Sequence, residues 1–306
     1  MESELPYVVI NGYRMKFSEN IIFRSVLKTG INFWNALEVT KHVKNHVIGR
    51  KTVHAEELFE ITKNALAEIC GSEFAGRYEL WHRYNVLRRK GAAPPLQILI
   101  GGSPSVGKSI SLTDLAFRLA IARTITTDAI RRILKVIIRD DPVLHLPSYR
   151  VWKKLSPKKK SEHPRELEGF IRQAEFLKPF IIELVKKSIK DRKEVAVEGV
   201  HVTPWILPEE LLEKTNVIQI LLRAPARKIY YEMFFSKRLR EGETEMESVA
   251  EDFEVCLKID KFLVKEARKR KLPVIKFRSV EETVEKFLEV VNLRIRKLVR
   301  ELDGRA

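Results

Sequence analysis

LQILIGGSPSVGKS, residues 96–109, decides the fold. LQILI (96–100) is a short apolar run, suited to a parallel strand buried on both faces. Behind it, G-S-P-S-V-G-K-S (102–109) matches the phosphate-loop pattern G-x-x-x-x-G-K-[ST] in full. An amphipathic stretch from Lys108 to Ala120 follows, so the motif has the strand before it and the helix after it that the pattern requires. Gly102 and Gly107 let the backbone wrap a phosphate closely, with successive N–H groups and the helix N-terminus facing its oxygens. Lys108 brings a positive charge to the β- and γ-phosphates from what reads as an exposed loop, and the Ser109 hydroxyl can ligate Mg²⁺. The nucleotide-contacting set is Gly102, Ser103, Pro104, Ser105, Val106, Gly107, Lys108, Ser109 and Ile110.

Outward from this point, strand and helix patterns alternate to the end of the chain. RTITT (123–127), VAVEGVHV (195–202), NVIQILL (216–222) and LPVIKF (272–277) join 96–100 as five strand candidates. Helical spacing covers 129–138, 165–190 and 281–302. The second of these carries Leu167, Phe170, Ile171, Ala174, Leu177, Ile181, Leu184 and Val185 on one face, with Pro179 a candidate kink. Residues 140–164 read as irregular, and KKLSPKKK (153–160) as an exposed loop. Such alternation predicts an α/β domain with a five-stranded parallel sheet covered on both faces.

The first 90 residues differ. YVVI and YRMKF around Asn11-Gly12 predict a hairpin, and helical patterns follow at 18–28, 32–47, 54–70 and 72–89. GAAPP (91–95) cannot continue a helix, which sets the expected division: an α-rich domain over 1–90 and the α/β domain over 91–306.

Hydrophobic residues make up 44% of the 306, enough for sizeable cores. Cys70 and Cys256 have no partner at metal-site spacing, and the start MESELPYVVING lacks a signal-peptide pattern. No apolar run reaches the roughly 18–20 residues that span a bilayer. A cytoplasmic protein without a membrane partner is expected. Lys and Arg number 57 against 41 Asp and Glu, a formal charge of +16. Three explanations compete: solvated faces of a heat-adapted protein, a nucleic-acid surface, or a pocket for several phosphates. Charged residues at 32% and scarce glutamine (Gln97, Gln173, Gln219) fit the first.

Asp128 follows the second strand, at the sheet end where ligands bind. It could accept a proton from an acceptor hydroxyl or hold Mg²⁺ through water, or simply cap the helix from Ala129. Glu198 ends the third strand, a place suited to orienting water on Mg²⁺. His201 could meet a phosphate or carboxylate, or be a satisfied structural residue. Within the basic segment 223–240, Arg238 and Arg240 stand out as phosphate clamps on a lid, against the bland reading of a solvated basic helix.

Together these residues resemble the archaeal 2-phosphoglycerate kinases, over almost the whole chain. The resemblance rests on ILIGGSPSVGKS, TTDAIRR, LHLPSY (His145, Ser148, Tyr149), GFIRQAE (169–175) and EGVHVTP (198–204). Residues 1–90 resemble the ATP-cone, a small regulatory nucleotide-binding module, but carry Val9-Ile10 before Asn11-Gly12 where that module usually has basic residues before an Asp-Gly turn. The family resemblance implies ATP-dependent phosphorylation of the free hydroxyl of 2-phosphoglycerate.

The expectation is therefore a kinase of a small phosphorylated metabolite, using ATP and Mg²⁺. Lys108, Asp128 and Arg238 are the catalytic candidates, and Asp128, Arg131, His201 and Arg240 the acceptor-binding ones. Ser109 and Glu198 stand at the metal. Two alternatives remain: a polynucleotide or RNA kinase, which the charge favours but which lacks an aromatic-basic platform, and an ATP-binding regulatory protein without kinase activity. Homo-oligomerisation is left open.

Overall fold

The computed structural model describes residues 5–156, 162–242 and 245–304. Residues 157–160 of the KKLSPKKK run lie outside them. The chain forms two compact units, one of Met1–Ala93 with Phe117–Ala120 and Leu288–Ala306, the other of Pro94–Ala116 and Ile121–Phe287.

The first unit opens with β1 (Tyr7–Ile10) and β2 (Tyr13–Lys16), paired antiparallel across Asn11-Gly12. Both turn residues take the left-handed conformation, with φ of 47° and 83°, as a two-residue hairpin turn demands. α1 (Glu19–Leu27) and α2 (Phe33–Val47) lead to β3 (Thr52–His54), which pairs parallel to β1. Sequence reading misses this strand, since three residues with one buried side chain, Val53, are too few to establish an alternation. α3 (Ala55–Cys70) and α4 (Ser72–Arg89) complete the unit's N-terminal part, packed around Val26, Leu27, Val39, Val43 and Leu66.

The second unit holds β4 (Gln97–Gly101), all but the last turn of α5 (Lys108–Leu119), β5 (Thr124–Thr126), α6 (Thr127–Ile137), α7 (Pro142–His145), α8 (Arg165–Lys190), β6 (Val195–Glu198), α9 (Glu209–Lys214), β7 (Val217–Arg223), α10 (Arg227–Arg240), α11 (Met246–Lys269), β8 (Val274–Lys276) and the first residues of α12 (Val280–Asp303). Its five strands run parallel in the order β5-β6-β4-β7-β8. The central three are buried almost end to end, whereas the edge strands are short and partly exposed. That contrast explains why the central runs read as continuous apolar segments. α7 and a 3-10 turn at Val151–Lys154 order part of the stretch expected to be irregular, and α11 is a long helix that the pattern reading does not include.

The contacts of the C-terminal residues depart from a division at 90/91. Val291, Ile295, Leu298 and Val299 on α12 are buried. Asn292 Oδ1 accepts a hydrogen bond from Trp81 Nε1 at 2.8 Å, and Phe117 stacks on Phe33. Amphipathic spacing identifies the α12 helix but not which of two cores its apolar face serves. Replacing the 3%-exposed Asn292 by Ala should lower the unfolding free energy by about 1–2 kcal/mol, read from chemical denaturation, because a buried indole N–H loses its better acceptor.

Candidate active site

Strand register fixes the site. Thr126 on β5 and Ile100 on β4 both pair with Glu198, so β4, β5 and β6 end level with one another. β4 lies between β6 and β7, where the connections diverge to opposite sides of the sheet, the position at which open α/β sheets bind ligands. The phosphate loop leaves β4 there.

The loop is held by close approaches that exclude side chains. Gly102 has φ 150°, and a Cβ on it would overlap the Leu222 carbonyl; one on Gly107 (φ 91°) would meet the Phe277 ring at 2.5 Å. Ser105 takes φ 61°, an uncommon conformation for a residue with a side chain, and its buried Oγ has no hydrogen-bond partner among the described residues. Beneath the loop, the Tyr230 hydroxyl donates to the Pro104 carbonyl at 2.7 Å, and Ser103 Oγ donates to the Cys256 carbonyl at 2.7 Å. α10 and α11 thus buttress the loop from below. Val106 is buried and Ile110 exposed.

Lys108 is not exposed: 7% of its surface is accessible, and Nζ donates to the Ser103 carbonyl at 2.7 Å. The ammonium of a residue at a helix start is covered here by the loop that precedes it. Burial pushes its pKa down to about 8; Glu198 opposes this, while the nearby Lys237 adds to it. Ser109 Oγ donates to Glu198 Oε1 at 2.8 Å, which joins the start of α5 to the end of β6. A hydroxyl and a carboxylate side by side are hard oxygen donors that suit Mg²⁺. Among the described residues no cluster of three or more His, Cys, Asp or Glu could hold a metal.

Asp128 is not the helix cap. Thr126 fills that position, its Oγ1 accepting from Ala129 N at 3.0 Å, and α6 already begins at Thr127. Asp128 Oδ1 instead accepts from Arg131 Nε and Nη2 at 2.9 and 2.8 Å, and Oδ2 meets Arg132 Nε at 2.9 Å. Burial acts to raise the Asp128 pKa, but the charge and hydrogen bonds of Arg131, with Arg132, outweigh it and hold the carboxyl below its ordinary value. Arg131 is itself buried, and Nη1 donates to the Leu144 carbonyl at 2.7 Å.

His201 is 1% exposed, with Nδ1 2.9 Å from Thr127 Oγ1 and Nε2 2.9 Å from Gln173 Oε1. Both ring nitrogens are engaged inside the protein. Arg238 is buried, stacks against Tyr149 and Phe234, donates through Nη1 to the Tyr149 hydroxyl and pairs with Glu241 at 2.8 Å. Among the described residues its buried Nε has no hydrogen-bond partner. Arg240 is exposed and donates to the Ser236 carbonyl of its own helix. The structure therefore brings Lys108, Ser109 and Glu198 into one cluster and Asp128, Arg131 and His201 into an adjoining one, and leaves Arg240 outside both. Neither Tyr149 nor Gln173 is a site candidate in the sequence reading, and each lies there within a motif of the resemblance. Gln173 also carries a direct signal, a polar residue set among the apolar positions Phe170, Ala174 and Leu177 of α8.

Comparison with known proteins bears on which kinase-like site this is. No protein-family profile matches the chain. The 2-phosphoglycerate kinase of Methanopyrus kandleri is 31% identical over 298 residues, covering 95% of this chain and 88% of its own. The chain belongs to the 2-phosphoglycerate kinase family. Other family members, from Methanococcus vannielii and Methanocaldococcus jannaschii, are 30% and 29% identical over 95% and 97% of the chain. Among solved structures, a gluconokinase from Sinorhizobium meliloti aligns with a TM-score of 0.38 at 12% identity, over 70% of this chain and 99% of its own, too loose a likeness to add to the fold described above. Among the described residues, no helix of this family member is long and apolar enough to cross a membrane.

Gly199 (φ 151°) packs so closely on Thr127 that a Cβ would overlap Oγ1. Gly199→Ala should therefore cost about 2–3 kcal/mol of stability, read from chemical denaturation.

Proposed function

We propose that the protein transfers the γ-phosphoryl group of ATP to the free hydroxyl of 2-phosphoglycerate, giving ADP and 2,3-bisphosphoglycerate. Membership of the family supports the acceptor. The observation that carries the chemistry is the buried ammonium of Lys108, held to a backbone carbonyl beneath the phosphate loop. A cation withdrawn from water is costly unless an anion arrives to meet it.

In this reading the backbone N–H groups of 102–109 and the start of α5 take the ATP phosphates, and Lys108 turns from Ser103 to their oxygens. Ser109 and Glu198 would hold Mg²⁺, which when bound neutralises charge on the β- and γ-phosphates. The acceptor's phosphate and carboxylate are met by Arg131, and Arg238 turns from Tyr149 and Glu241 to reach the transferring group. As the acceptor oxygen bonds to the γ-phosphorus, the bond to the β–γ bridging oxygen breaks and the electron pair leaves with ADP. The hydroxyl proton departs to solvent as the new bond completes, which a loose transition state permits without a strong base. Asp128, with its pKa held low by two guanidinium groups, serves to orient Arg131 rather than to take that proton. His201 has no ring nitrogen left for the acceptor and acts as a strut, and Arg240 stays outside the site.

We read residues 1–90 as an ATP-cone-like regulatory module that plays no part in the transfer, and the protein as cytoplasmic, with Cys70 and Cys256 free.

Lys108→Ala should retain the fold and lose about 10²–10³-fold in kcat/KM, because it deletes a charge aimed at the transferring phosphate. The pH behaviour of ATP binding follows from the same group. Below pH 8 the free protein already carries the Lys108 charge; above it the lysine is neutral and must take up a proton to meet the nucleotide. Affinity should fall as pH rises through about 8, with proton uptake detected by calorimetry in buffers of different ionisation enthalpy. A pH-independent affinity from 7 to 9.5 would contradict the assignment. The acceptor is tested by ADP release with 2-phosphoglycerate, 3-phosphoglycerate, glycerate and a short RNA. Stimulation by 2-phosphoglycerate is expected, and stimulation by RNA alone would overturn the reading.

A further inference from the structure

We propose that Gln173 and His201 are positioning residues that close a ring of hydrogen bonds around the acceptor side of the site and hold Arg131 in place for its anion. The ring can be followed from atom to atom. Thr127 Oγ1 meets His201 Nδ1, and His201 Nε2 meets Gln173 Oε1, each at 2.9 Å. Gln173 Nε2 donates to the carbonyls of Val143 and, at 3.0 Å, Leu146. Leu144, between them, accepts from Arg131 Nη1 at 2.7 Å, and Arg131 returns through Asp128 to the residue next to Thr127. α6, α7, α8 and the turn after β6 are thereby tied together by side chains that are all largely buried, apart from Asp128.

Proton directions around the ring are determined. The amide nitrogen of Gln173 is committed to two carbonyls, so its oxygen faces His201 and can only accept. His201 must then carry its proton on Nε2, which leaves Nδ1 to accept from the Thr127 hydroxyl. An imidazolium would need the Thr127 hydroxyl to turn and accept from Nδ1, and it would bury a charge beside the Arg131 guanidinium. The surroundings agree: burial first, then the Arg131 guanidinium, push the His201 pKa down to about 3, with Lys108 adding to this and Asp128 opposing it. A glutamate at 173 would reverse these preferences, since a carboxylate favours the charged ring.

The ring also accounts for four separate stretches of sequence through one geometry. Thr127, Asp128 and Arg131 lie in TTDAIRR, the Leu144 and Leu146 carbonyls in LHLPSY, Gln173 in GFIRQAE and His201 in EGVHVTP. This inference rests on the proposed acceptor site only for its kinetic consequence; the ring itself is independent of the substrate.

Two measurements test it separately. In ¹⁵N–¹H spectra of the full-length protein, with the His201 signals identified by their absence in His201→Asn, the ring should stay the neutral Nε2–H tautomer from pH 7.5 to 5. The Nδ1–H tautomer, which would set two acceptors face to face at Gln173, would overturn the ring whatever the substrate. In kinetics with the acceptor that sustains ADP release, Thr127→Val should raise the acceptor KM about tenfold or more while leaving the KM for ATP near its starting value. Thr127→Ser, which restores the hydroxyl, should recover the acceptor KM. A folded Thr127→Val protein with the original acceptor KM would overturn the positioning role, and absence of any acceptor-dependent ADP release would instead count against the kinase reading and leave the tautomer result standing.

Discussion

An ammonium held out of water beneath a backbone loop is the constraint on which the second unit depends. Lys108 cannot spread its charge into solvent, and its pKa falls accordingly. Several costly features surround it: Ser105 at positive φ, two glycines pressed against a carbonyl and a ring, and a tyrosine and a serine hydroxyl spent on bracing the loop from below. None of these improves packing for its own sake. Together they fix the backbone of the phosphate loop around one cation, which is what electrostatic preorganisation for a polyphosphate requires.

The parallel sheet makes that arrangement affordable in length of chain. Because Thr126, Ile100 and Glu198 end in register, three short strands deliver an acid, a phosphate loop and the start of α6 to one edge without any long connecting loop. The positive balance of the chain then has a local meaning beyond its surface. Lys108, Arg131 and Arg238 are all largely buried cations of the second unit, and a donor and an acceptor that each bring phosphate would neutralise them.

Much of this was legible in the sequence because it depends on local rules. The phosphate loop, all five strands and the helix over 165–190 follow from glycine placement, apolar runs and 3.6-residue spacing. Side-chain partnership is a different matter. Asp128 reads equally as a base, a metal-orienting group or a helix cap, and the capping reading fails because Thr126 two residues earlier holds that position and leaves Asp128 to Arg131. His201 looked available to a ligand, and its commitment to Thr127 and Gln173 involves residues 74 and 28 positions away. The last turns of α12 belong with the first unit through Asn292 and its buried neighbours, which no local pattern marks. Short-range periodicity identifies elements; it does not say which distant polar group each buried polar group meets.

The central claim is that the phosphoryl group leaves ATP for the metabolite and not for water. Incubation with ATP labelled in its γ-phosphate, in the presence of 2-phosphoglycerate, tests this directly by separating labelled bisphosphoglycerate from labelled orthophosphate. The account predicts that label appears in bisphosphoglycerate in step with ADP, and that Lys108→Ala slows both together by about 10²–10³-fold. Label in orthophosphate alone, with 2-phosphoglycerate unchanged, would contradict it.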